Sequence, residues 1–345
     1  YKSNSDNPAL IRTVKGKIDY TSGMEGLIVF PNYNPYWEQT YYDSRTKSNY
    51  RIYTSAYKGD EKIFIYNGLN GSTYADVLPS LTTGSGFVDV ICADLTGKQE
   101  EYIIKINNTV ESSREKVVFS IFGTSSTYGI VKIYDRTFDL GAAFSRNGMS
   151  SVHPKHYCTG DFNGDGKMEI MAVSADNPFL DNAHPTQYYI FDLEGNRILH
   201  QGSGLKYKVS FLGVSQTNGQ TAYNNSDKLI PMDFDGDGKT DICIIGESGT
   251  EVCTFESSGS SLMSKSLVSY NGLTRSMAAD RDLLCGEFNG DGLNDLLVST
   301  RPGFTTDKDW TLFLSKGDGT FLKSTFSGPT LATYDYSGYL LQDID

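Results

Sequence analysis

Hydrophobic positions along this chain come in short runs separated by polar, glycine-rich stretches. Gly26–Phe30, Tyr50–Thr54, Lys62–Tyr66, Val88–Cys92, Lys116–Ile121 and Gly129–Tyr134 are runs of five or six residues rich in Ile, Val, Phe and Tyr. Ile170–Val173, Ile242–Ile245 and Leu296–Val298 are shorter and continuously apolar. Runs of this length and β-branched content predict strands, the continuous ones buried on both faces. Gln187–Phe191 and Arg197–His200 flank the turn Leu193–Asn196, and Trp310–Leu314 and Thr320–Leu322 flank Lys316–Gly319, so each set predicts a hairpin. Residues 1–25 read as a polar lead-in or a partial strand, Tyr33 to Tyr50 as a long loop, and Phe179–Thr186 as an inserted loop. Nothing has the period of a long amphipathic helix, and no apolar run approaches bilayer length. The 23 Tyr, 18 Phe and 35 Gly suit strands and turns, so the expected class is all-β.

One polar stretch recurs between such runs. It reads Asp161-Phe-Asn-Gly-Asp-Gly-Lys-Met-Glu-Ile170, then Asp233-Phe-Asp-Gly-Asp-Gly-Lys-Thr-Asp-Ile242, then Glu287-Phe-Asn-Gly-Asp-Gly-Leu-Asn-Asp-Leu296. Oxygen-bearing side chains stand at positions 1, 3, 5 and 9 of each copy. A hard cation such as Ca²⁺ takes roughly six to eight oxygens at short range. Glycine at position 6 permits the tight coil that lets the oxygens converge. The candidate ligands are therefore Asp161, Asn163, Asp165 and Glu169; Asp233, Asp235, Asp237 and Asp241; and Glu287, Asn289, Asp291 and Asp295. Position 7 offers its backbone carbonyl, from Lys167, Lys239 and Leu293. Crowded acids without a cation would repel one another. An EF-hand shares the opening of the pattern but needs a bidentate Glu at position 12 and flanking helices. Here position 12 is Ala172, Ile244 and Val298, inside predicted strands.

Asp94-Leu-Thr-Gly-Lys-Gln-Glu-Glu-Tyr-Ile103 reads as a decayed copy, with Lys98 where an oxygen belongs and no metal expected. Motif starts are separated by 67 residues (94 to 161), 72 (161 to 233) and 54 (233 to 287). Apolar residues before Asp343 and Asp345 look like the start of a further copy. Four strands per repeat at this period predict a β-propeller of five to seven blades. We expect one domain over 1–345, with 1–87 as an N-terminal blade of weak repeat signal and 88–345 as clear repeats.

The three loops resemble the Ca²⁺ loops of FG-GAP/VCBS repeats, the blades of the integrin α-subunit-type propeller. Ser315-Lys-Gly-Asp-Gly-Thr-Phe321 resembles a hairpin common in bacterial members of that family. The resemblance implies metal loops between the first and second strands of each blade, a ring usually of seven blades, and Ca²⁺ at about three sites. Glu287 departs from the family's Asp at position 1, which implies a weaker third site. Bacterial members are often modules of large surface proteins or of toxin complexes with RHS repeats, or lie beside polysaccharide-degrading domains. The chain is accordingly expected to be a piece of a longer secreted protein, unless its last strand closes the ring on the N-terminal ones.

Charge and cysteines narrow the functional classes. A net charge of −12 with no basic stripe argues against nucleic acid. Cys92, Cys158, Cys243, Cys253 and Cys285 are too few and too scattered for a disulfide framework. Cys92, Cys158 and Cys285 precede loops and read as core residues on equivalent strands. Cys243 and Cys253 fall on neighbouring strands, and the sequence leaves a bridge between them open. The chain opens at Tyr1 without a signal peptide, as a trimmed or a cytosolic chain would. Repeated Ca²⁺ sites favour a secreted, periplasmic or cell-surface home, where free Ca²⁺ is plentiful. His153-Pro-Lys-His156 is broken by its proline as a zinc pair, and no nucleophile elbow or P-loop is present. The aromatic stretch Tyr33–Tyr42, with Tyr36, Trp37 and Tyr41, is the candidate ligand-binding segment, suited to sugars or a protein interface. The expected function is a non-catalytic calcium-binding module that engages a protein or glycan, without nucleic acid or membrane insertion. The alternative is a secreted polysaccharide lyase or hydrolase built on a propeller.

Overall fold

The computed structural model describes residues 87–125, 129–146, 149–151, 155–174, 187–205, 227–258, 261–278, 281, 283–300 and 309–328, together with six strands between residues 10 and 74. Those six form three antiparallel pairs: β1 (Leu10–Asp19) with β2 (Met24–Tyr33), β3 (Trp37–Asp43) with β4 (Ser48–Thr54), and β5 (Ile65–Asn67) with β6 (Ser72–Tyr74). The loop expected from Tyr33 to Tyr50 is thus corrected to a hairpin. Trp37 pairs with Thr54 and Tyr41 with Tyr50 in unbroken register. Thr40, Tyr41 and Tyr42 carry strand preference that outweighs the turn signals Asn32, Asn34 and Pro35 just before them. Tyr36 lies outside the described residues, as do His153, the stretch 179–186, Asp343 and Asp345.

Four four-stranded sheets follow. The first holds β7 (Phe87–Ala93), β8 (Tyr102–Glu111), β9 (Arg114–Ser125) and β10 (Gly129–Ala142). A small hairpin, β11 (Phe144–Arg146) and β12 (Met149–Ser151), comes next. The second sheet holds β13 (Lys155–Gly160), β14 (Glu169–Ser174), β15 (Gln187–Asp192) and β16 (Arg197–Ser203). The third holds β17 (Lys228–Met232), β18 (Asp241–Gly246), β19 (Gly249–Ser258) and β20 (Ser261–Tyr270). The fourth holds β21 (Leu283–Gly286), β22 (Asp295–Val298), β23 (Asp309–Ser315) and β24 (Phe321–Ser327). Within each sheet the spatial order of strands is their order in the chain. Every motif copy, including the decayed one at Asp94, joins the first strand of a sheet to the second. The one helix among the described residues, α1, is the single turn Arg275–Ala278. Strands, not helices, flank the motif copies, as their apolar runs predict.

Contacts divide the chain into two compact units, and the dividing line passes through the second sheet. In one unit, Ile104, Ile106, Phe119 and Ile121 pack with Ile170, Ala172 and Phe191. The Phe119 and Phe138 rings lie 5.1 and 4.9 Å from that of Phe191. In the other unit, Phe234, Cys243, Ile245 and Val252 pack with Leu296, Val298, Phe313 and Phe321. Each core therefore draws side chains from two sheets. Strands β14 and β18 are buried at all six positions, the result expected of continuous apolar runs. Burial of each Ile there is worth about 1.5–3 kcal/mol.

The five cysteines are free. Cys243 pairs in register with Val252, and Cys253 with Ile242. The one-residue offset turns the two thiols to opposite faces of the sheet, which overturns the bridge left open by the sequence. Burial pushes both thiols up, Cys253 to about 12. Cys92, Cys158 and Cys285 lie on the first strands of their sheets, as expected.

Candidate metal centre

The second loop, 233–240, shows the local chemistry most completely. Gly236 and Gly238 have φ of 75° and 81°, a conformation that a Cβ disfavours. The same two positions are left-handed in the first and third loops, so position 4 is as constrained as position 6. This coil turns backbone amides onto the acids. The Asp233 carboxylate accepts from Gly236 N (2.9 Å) and Gly238 N (3.0 Å). Asp235 accepts from Asp237 N (3.3 Å), and Asp237 from Lys239 N (2.9 Å). Carboxylate oxygens of Asp233, Asp235 and Asp237 come to lie within 4.8 Å of one another.

Asp241, at position 9, is 1% exposed and accepts Phe234 N at 3.0 Å. Burial, joined by the charges of Asp235, Asp237 and Asp233, pushes its carboxyl up to about 7. Asp233 is raised as well, by burial first and then by the charges of Asp237 and Asp235, against the amide bonds that lower it. These shifts report burial of the carboxyls first and their crowding second. One cation is already at hand: Lys239 Nζ contacts Asp237 Oδ2. The sequence reading used Lys239 only for its carbonyl.

In the first loop, Asp161, Asp165 and Glu169 converge in the same way. Gly164 N donates to Asp161 at 2.7 Å, and Lys167 N to Asp165 at 3.0 Å. Glu169 is 2% exposed. The Asn163 carbonyl accepts Ser257 Oγ at 2.8 Å, and the Lys167 side chain reaches away to Glu194.

The third loop is built differently. Glu287, Asp291 and Asp295 are not among the converging groups found in the described residues. Glu287 Oε1 accepts the amides of Asn289 (2.7 Å) and Gly290. Asn289 gives both ends of its side-chain amide to Asp291: Nδ2 donates to the carboxylate at 2.8 Å, and Oδ1 accepts Asp291 N at 2.9 Å. Asp295 is fully buried, with one oxygen on Phe288 N (3.1 Å) and the other on Ser315 N (2.8 Å). Its carboxyl is raised by burial, then by Asp291 and Glu287. Leu293 N donates to Asp291 at 2.9 Å. In the decayed copy, Asp94 accepts amides of Thr96, Gly97 and Gln99 at 3.0, 2.9 and 2.6 Å, and Lys98 is exposed.

Two features were missed in the sequence. The phenylalanine at position 2 is a plug: Phe162 packs edge-on against Phe255 at 5.6 Å, and Phe234 against Phe321 at 5.2 Å. Its recurrence in three copies was a readable signal. The second feature is a main-chain stitch between loops. The amide at position 8 donates to the carbonyl at position 1 of the preceding copy: Met168 to Asp94 (2.8 Å), Thr240 to Asp161 (2.7 Å), Asn294 to Asp233 (2.9 Å). No side-chain pattern announces a bond between backbone atoms. The approach is close, since a Cβ on Gly160 would stand 2.4 Å from the Thr240 methyl.

Of the other candidates, Trp37 and Tyr41 lie on β3, and His156 is exposed on β13. No helix among the described residues is long and apolar enough to cross a membrane.

No protein-family model matches the chain, and no curated protein sequence does. Among solved structures it is similar to one of an Agrocybe aegerita lectin that recognises non-reducing terminal N-acetylglucosamine. That match has 12% identity and a TM-score of 0.49, covering 93% of this chain and 81% of the lectin. It is also similar to Bacillus licheniformis rhamnogalacturonan lyase PL11, at 16% identity and TM-score 0.41, over 90% of this chain and 59% of the lyase. Rhamnogalacturonan lyase YesW matches at 13% identity and TM-score 0.39, over 92% of this chain and 67% of that one. Similarity at this level decides neither binding nor catalysis.

Proposed function

We propose that this chain is a calcium-binding β-propeller module of the FG-GAP/VCBS type, carried by a secreted or cell-surface protein and engaging a glycan or protein partner without catalysing a reaction. The observation that carries the calcium reading is the convergence of Asp233, Asp235 and Asp237 on a loop whose amides fix all three carboxylates. An all-oxygen donor set of this charge suits a hard divalent cation. Asp161, Asp165 and Glu169 would hold a second ion, and the Glu287–Asp295 loop a weaker third. An ion there would supply positive charge among the clustered carboxylates. At the second loop an ion would compete with Lys239 Nζ for Asp237. The propeller reading is supported by successive four-stranded meanders with one such loop each between first and second strands.

Calcium should raise the melting temperature, and chelator should lower it, because an ion that binds only the folded form stabilises it by mass action. Asp237→Ala should remove part of that shift. A melt indifferent to calcium and chelator would sink the metal reading. Release of unsaturated or reducing ends from polysaccharides would replace the binding module by an enzyme.

A further inference from the structure

We propose that the third loop is a clasp that sets the geometry of the second-loop ion site, with Asn294 and Ser315 as its positioning residues. The inference rests on the calcium reading of the second loop and deepens it.

Asp233 and Phe234 begin that loop, and all four of their main-chain polar groups are held. Asn294 takes both from Asp233: its amide donates to Asp233 O and its Oδ1 accepts Asp233 N, each at 2.9 Å. Ser315 Oγ donates to Phe234 O at 2.8 Å. Phe234 N donates to the loop's own Asp241 at 3.0 Å. Three of the four holds therefore come from the third loop or from the strand end at Ser315.

The clasp is itself anchored. Ser315 is 4% exposed, and its amide donates to the fully buried Asp295 at 2.8 Å. Asp295 closes its own loop through Phe288 N. The acid at position 9 of the third loop thus gives both oxygens to bracing. A hydrogen-bonded path runs from Asp295 through Ser315 and Phe234 to Asp241.

The corresponding position-8 residues elsewhere grip through the backbone. Thr240 lays its side chain on Gly160, and Met168 is 39% exposed. Calcium loops tune affinity through ligand charge and site rigidity. Outer hydrogen bonds that orient a ligand commonly carry a large share of metal affinity. The residue clasped here supplies the position-1 carboxylate.

The test is calcium titration by calorimetry on the full chain, with two reference variants. Asp235→Asn should remove the binding step of the second loop, and Asp165→Asn that of the first. Asn294→Ala should weaken the second-loop step by about 10- to 100-fold and leave the first-loop step unmoved. Asn294→Asp keeps the acceptor and should restore the affinity. Ser315→Ala should weaken the same step, and it decides the matter if Asn294→Ala does not fold. The clasp is refuted if Asp235→Asn removes a step that Asn294→Ala and Ser315→Ala leave intact, or if Asn294→Ala weakens both steps equally. If Asp235→Asn removes no step, the calcium reading of that loop fails and takes the clasp with it.

Discussion

Asp241 shows how one residue reads the state of its loop. Its carboxyl, buried beside three other acids, is raised from 3.8 to about 7. A raised carboxyl means that the folded chain holds the proton more tightly than the unfolded one. Its contribution to stability is then full below the ordinary value and is lost as pH rises through about 7. Calcium-free protein should lose stability across that window, and Asp241→Asn, which keeps an acceptor for Phe234 N, should flatten this part of the profile. Melts of both proteins without calcium, from about pH 4 to about pH 8, check it. Equal slopes would assign the dependence to other groups. The convergence of acids in the first two loops was legible because it is written in side chains at fixed spacing. Lys239 on Asp237 was not, because a lysine at position 7 of a ten-residue pattern says nothing of where its flexible ammonium rests.

Elements were legible wherever a run was purely apolar. Ile242–Ile245 and Ile170–Val173 became buried strands because no polar side chain competes for either face. The loop expected from Tyr33 to Tyr50 was a misreading, because Asn, Pro and Tyr mask a hairpin whose pairing depends on the partner strand Ser48–Thr54. Between the first two four-stranded sheets lies a pair that no local pattern could show. Lys155, at the start of β13, meets Glu115, near the start of β9, with side chains 1% and 3% exposed. Burial lowers the Lys155 ammonium, against the pull of Glu115. Lys155→Ala takes the counter-charge from the buried Glu115 and should cost about 3–5 kcal/mol. Replacing both, as Lys155→Met with Glu115→Leu, should be neutral or stabilise by about 1–4 kcal/mol. Denaturant unfolding of the single and double variants measures both. A double variant as weak as the single would show that the pair contributes net stability.

The whole molecule carries a net charge of −12, and part of the acidity sits in the recurring loops. Added monovalent salt screens such repulsion. It should therefore raise the melting temperature of the calcium-free protein more than that of the calcium-loaded one, measured in parallel scans. Equal salt responses would mean that the loop acids do not dominate the repulsion. The stitch between position 8 and position 1 bears on how such a chain can change over time. It joins backbone to backbone, so substitution of side chains leaves it standing. The copy at Asp94 has a lysine in place of one oxygen, yet its carbonyl still receives Met168 N. A repeat can lose a loop oxygen and keep its seat, so these acids can be exchanged one by one without undoing the bond to the neighbouring copy.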